Sequence, residues 1–75
     1  MKFGELMSVF SGWRIRITAV DAEGGETKDE ICILDTVNAH MKLASYAEAA
    51  VVRFATGTMD FEGQQFPALE VVVNV

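Results

Sequence analysis

Carboxylates are the abundant reactive side chains of this chain. Asp21, Glu23, Glu26, Asp29, Glu30 and Asp35 fall within fifteen residues, offset only by Lys28. Such a run could hold calcium, carry out general acid–base chemistry, or present a negative surface. The calcium reading fails on spacing. Asp21-Ala-Glu23 opens like a calcium loop, but Glu26 stands where the sharp-turn glycine belongs and Cys32 where a bidentate Glu would close the site. Acid–base work needs two carboxylates in a shaped cleft with separated pKa values, and a hairpin turn opens to water. The surface reading remains. Asp21, Glu23 and Glu26 would form one negative rim with Asp60 and Glu62 if their two turns lie at the same end of the fold. A rim of this kind steers basic partners and repels nucleic acid. The plainer alternative is that acidic turns keep a greasy small protein in solution.

The other reactive types point to no reaction. The one histidine, His40, has Thr36, Val37, Leu43 and Ala44 at helical ligand spacing, so it reads as a partly exposed helix residue. Ser8, Ser11 and Ser45 stand in no Gly-x-Ser-x-Gly context. A single cysteine makes no internal disulfide, and Cys32 among Ile31, Ile33 and Leu34 reads as a small core hydrophobe. Gly24-Gly25 lacks the strand–glycine–helix context and the Gly-Lys-Ser/Thr of a phosphate loop. No catalytic residue, metal or cofactor is expected, and the chain is read as a non-enzyme. Arg14 and Arg16 share a strand face, where they either clamp an anion or pair across strands with Asp29 or Glu30. Phe61 and Phe66 flank a polar turn, so at least one should be exposed as a binding anchor.

The elements that position these residues follow from periodicity. Phe3, Leu6, Met7 and Phe10 recur at helical spacing until Ser11-Gly12, and so predict a short amphipathic helix over 3–10. From Trp13 the period changes to two: Trp13, Ile15, Ile17 and Ala19 on one side, Arg14, Arg16 and Thr18 on the other. The turn Asp21–Glu26 with its Gly-Gly pair predicts a hairpin to a return strand over 28–35, whose apolar centre reads as an interior strand. A helix over 38–48 capped by Asn38 and a strand over 50–57 follow, although 50–57 also suits a helix. Phe61–Pro67 reads as a turn into a last strand in which Leu69, Val71, Val73 and Val75 point one way. The expected fold is one α+β domain over 1–75: a mostly antiparallel four-stranded sheet with two short helices on one face, in the order α-β-β-α-β-β. An unprotected Val-rich last strand would invite pairing, so it should lie inside the sheet or in a homodimer seam.

At 75 residues, 51% hydrophobic and 23% charged, the chain should fold as one domain rather than serve as a disordered tail. A net charge of −5 argues against direct binding to nucleic acid or an anionic membrane. No window has the ~18 apolar residues of a membrane span and no secretory signal is evident, so a soluble, cytoplasmic setting is expected. Charge is segregated: the first twenty residues are net basic, the 21–35 segment strongly acidic, and no Lys or Arg follows Arg53.

The pattern Phe3-Gly-Glu-Leu-Met-Ser-Val-Phe10 followed by Trp13-Arg-Ile-Arg-Ile-Thr18, with Leu69–Val75 as a closing hydrophobic strand, resembles the small accessory proteins encoded by phages and mobile elements of Gram-positive bacteria. Their architecture runs helix, strand, glycine-bearing turn, strand. The resemblance implies an accessory protein of phage type, a group that includes acidic anti-defence inhibitors such as anti-CRISPR proteins, some of which mimic nucleic acid. It carries over no functional residue. The expected function is therefore non-catalytic binding and modulation of a host protein, one with a basic nucleic-acid-binding surface among the candidates. Asp21, Glu23, Glu26, Asp60, Glu62, Phe61 and Phe66 form the expected partner surface. The alternative is a self-assembling subunit joined through the C-terminal strand.

Overall fold

The computed structural model of the protein describes residues 1–32 and 36–75. Its elements are α1 (Phe3–Val9), β1 (Arg14–Val20), β2 (Glu26–Cys32), α2 (Thr36–Ser45), β3 (Ala50–Phe61) and β4 (Gln64–Asn74). The α+β class and the element order are those expected. The strands make one sheet in the order β2-β1-β4-β3. Its outer pairs, β1–β2 and β3–β4, are antiparallel hairpins, but the central pair β1–β4 is parallel. The sheet is thus mixed. A hairpin sets direction only between its own strands, and the way two hairpins join is decided by which strands most need cover on both edges. Those are β1 and β4, which supply Ile15, Ile17, Ala19, Val71 and Val73 to the core.

This order corrects the expectation for the return strand. β2 is an edge strand, and among its residues only Ile31 is buried. Of the residues that carried the interior reading, Ile33 and Leu34 lie outside the described residues, as does Asp35 at the expected end of the strand. Cys32 is half-buried and pairs with Arg14 on the face away from the helices, not in the core. The C-terminal strand takes the interior position that was one of its two expected places. From Leu69 to Asn74 it pairs with both β1 and β3, so the homodimer seam expected along it has no free edge.

Alternation decides what the core contains. Ile15, Ile17, Ala19, Ile31, Val71 and Val73 project to one face, where Phe3 and Leu6 of α1 and Ala39 of α2 cover them. Phe3, Ile15, Ile17, Val71 and Val73 are fully buried, each contributing roughly 1.5–3 kcal/mol by transfer from water. The seven-residue α1 is too short to persist alone. Tertiary hydrogen bonds hold it: Phe3 N–H donates to the Ala49 carbonyl and Gly4 N–H to that of Ala47, both at 2.9 Å. The Phe3 ring also meets Tyr46 edge to face at 6.2 Å.

α2 begins at Thr36, so Asn38 lies inside the helix rather than capping it. Residues 50–57 are strand, and β3 continues to Phe61. The expected seven-residue turn into the last strand contracts to Glu62-Gly63, with φ of 50° and 79°. Two successive positive φ values define the turn whose twist matches a hairpin. The flanking Gln64-Gln65 is therefore strand, and Pro67 sits within β4 opposite Thr58. Pairing of β1 to β4 begins only at Leu69, so Pro67 occupies a stretch with one neighbouring strand, where its missing donor costs least.

Candidate partner-binding surfaces

The parallel β1–β4 pair separates the two acidic turns. The β1–β2 turn lies at the end of the sheet where β4 finishes, and the β3–β4 turn where β4 starts. Asp21, Glu23 and Glu26 therefore form no common rim with Asp60 and Glu62. The single negative rim is corrected to two separate acidic tips.

At the first tip, Asp21 is occupied. Its Oδ1 accepts the N–H of Glu23 at 2.9 Å and of Gly25 at 2.8 Å, and its own N–H donates to the Gly25 carbonyl at 3.0 Å. Gly24 supplies the left-handed residue at φ 85°. An aspartate closing its own turn in this way is a structural group. Glu23 and Glu26 stay exposed.

The opposite tip is built differently. Because the β3–β4 hairpin runs past the end of β1, Phe66 and Pro67 face the chain segment Ser11–Arg14 across shallow hollows. One hollow, about 560 Å³, lies between Ser11–Arg14 and Phe66-Pro67. A second, about 190 Å³, shares Gly12, Trp13, Arg14 and Pro67 and reaches Phe10 and Leu69. Trp13 is 61% exposed and Phe61 59%. Phe66 is half-buried, with the Arg14 guanidinium carbon 4.0 Å from its ring centroid. That contact is a cation–π stack which holds the ring in place. Asp60 and Glu62 are exposed beside Phe61. Phe61 and Phe66 were legible as anchors from their flanking of a polar turn. The sequence alternation places Trp13 on the buried side with Ile15, but β1 starts at Arg14 and the alternation does not reach Trp13. Gly12 beside it was the available signal.

On the sheet face away from the helices, Arg16 is the hub. It contacts Glu70 at 2.5 Å, Glu30 at 3.9 Å and the Thr58 carbonyl at 3.1 Å. Of its two expected partners Glu30 is found. Asp29 faces the helices instead, where it accepts the Tyr46 hydroxyl and lies 4.0 Å from Lys42 Nζ. The hydrogen bond to Asp29, with burial and the Asp29 charge, pushes the Tyr46 hydroxyl up to about 12. A hollow of about 220 Å³ next to Arg16 is lined by Thr18, Lys28, Arg53 and Glu70 among others. Among the described residues, Lys28 and Arg53 enter no ion pair. His40 is exposed on α2.

Comparison with protein-family models, with curated proteins and with solved structures found no match. Among the described residues no helix is long and apolar enough to cross a membrane.

Proposed function

We propose that the protein is a non-catalytic accessory factor that binds another protein through the aromatic end of its sheet. The observation that carries this reading is two largely exposed aromatics at one end of the sheet, Trp13 lining the hollow with Arg14 and Phe66-Pro67, and Phe61 at the tip of the β3–β4 hairpin. Large rigid aromatics left in water lose little conformational entropy on docking and contribute the most area per residue, which is why they anchor interfaces. Asp60 and Glu62 beside them, on a chain of net charge −5, favour a partner with basic residues around an apolar patch. The resemblance to phage and mobile-element accessory proteins supplies the class of partner, a host protein whose activity the docked chain modulates. The turn Asp21–Gly25 takes a lesser part, since Asp21 is engaged in closing it.

The test is capture from a bacterial host lysate on the tagged protein, read by mass spectrometry for three forms. Wild type and a Glu23→Lys/Glu26→Lys variant should enrich the same host protein. A Trp13→Ala/Phe61→Ala variant, with an unchanged circular dichroism spectrum, should lose it. Loss with the turn variant and retention with the aromatic variant would move the site to the other tip. Equal capture by all three would remove both.

A further inference from the structure

We propose that β3 pairs edge to edge with β3 of a second copy of the chain, about a two-fold axis through Ala55. The inner side of β3 is bonded to β4, and its outer side, where Met1 and Lys2 pair with Ala50 and Val51, is a free sheet edge from Val52 onward. From Ala50 to Met59 the only charged side chain is Arg53. Val52 and Phe54 are each 53% exposed on it. Long, sparsely charged edges are templates for another strand. Two features protect its start, the bridge from Lys2 to Ala50 with the Val51 N–H donating to the Met1 carbonyl at 2.8 Å and a bulge between Val51 and Arg53, so the regular free edge starts at Arg53.

Symmetry and charge narrow the register. Directly opposed residues in an antiparallel pair share a face, so a two-fold axis normal to the sheet must pass through a residue opposed to itself. An axis at Arg53 would oppose like charges. An axis at Gly57 would bring together the two Glu70 side chains, which lie over that glycine: a Cβ at Gly57 would sit 2.7 Å from the Glu70 Cδ. An axis at Ala55 sets Arg53 of each copy opposite Gly57 of the other, beneath the partner copy's Glu70 carboxylate. That carboxylate gives Oε1 to its own Arg16 and keeps lone pairs for a second guanidinium. The same register sets Phe54 opposite Thr56, which covers the exposed ring. The Val52 bulge ends the ladder, so the interface is short and the dimer concentration-dependent.

Sedimentation equilibrium on the full chain should show a reversible monomer–dimer equilibrium between about 10 and 500 µM. Arg53→Ala should weaken it about tenfold or more by removing both charge-assisted pairs. Ala55→Lys, which opposes itself across the axis yet adjoins Glu70 within its own chain, should do the same with an unchanged circular dichroism spectrum. In a Cys32→Ser background, Ala55→Cys should link copies on mild oxidation and Thr58→Cys should not. A monomer up to about 500 µM overturns the proposal. A dimer indifferent to Arg53→Ala and Ala55→Lys, or linked at Thr58 and not at Ala55, overturns it equally.

Discussion

The two edges of the sheet are made on opposite terms. β2 exposes Glu26, Thr27, Lys28 and Glu30, and it is tied inward by Asp29 to Tyr46 and Lys42 of the helix side and by Glu30 to Arg16. β3 exposes Val52, Arg53, Phe54, Ala55 and Thr56, and contributes no charge beyond Arg53 until Asp60. Each edge has unsatisfied main-chain groups on its outer side. The charges of β2 would have to be desolvated or matched by an incoming strand, whereas β3 gains from being covered. The same contrast separates the two hairpin tips: Asp21 is engaged in closing its own turn, while Trp13 and Phe61 are left to water.

Substitutions that read packing on each edge should differ most. Ile31→Ala removes the one buried side chain of β2 and should cost about 2–5 kcal/mol in urea denaturation. Phe54→Ala on β3, measured below the dimerising concentration, should stay within about 0.5 kcal/mol. Equal costs would mean that β3 is as well packed as β2 and would end the contrast. The tie between β2 and the helices comes next. Tyr46→Phe removes the hydrogen bond to Asp29 and should cost about 1–2 kcal/mol.

That tie also has a pH signature. Tyr46 is the single tyrosine, so an absorbance titration reads it directly, with a midpoint expected near 12 against the ordinary 10.0. The raised value in the fold means that the neutral hydroxyl is the stabilised form. Its contribution is complete below pH 10 and is lost as the pH rises through the 10–12 window. Wild type should therefore lose stability across that window and Tyr46→Phe should lose less. A midpoint at the ordinary value would remove Asp29 as partner. The smallest effect is expected at Glu30. Glu30→Gln leaves Arg16 its Glu70 contact and should change stability by less than about 0.5 kcal/mol in the same denaturation assay.

The alternation of β1 and the end of β4 was legible because a half-buried strand must put its apolar residues at every second position: Ile15, Ile17 and Ala19, then Val71 and Val73. Local pattern failed where two elements share a residue's fate. Trp13 continues the β1 alternation in sequence, but the strand stops one residue short of it. Gln64 and Gln65 read as turn, yet they pair with Phe61 and Asp60 because a two-residue turn suffices to reverse the chain. The anchors Phe61 and Phe66 could be read from their turn. The company of Phe66 with Trp13, Arg14 and Pro67 depends on where the hairpin passes the end of β1.

The chain by itself determined its α+β class, the order of its elements and the buried faces of β1 and β4, since these follow from short-range periodicity and turn chemistry. Only the tertiary structure decided that β1 and β4 run parallel at the centre. That one pairing sends the acidic turns to opposite ends, closes the C-terminal strand and leaves β3 as the open edge. Strand order is a contest among distant segments for cover. Its outcome depends on which apolar faces and edges lose most by staying in water, and neighbours in sequence do not report that.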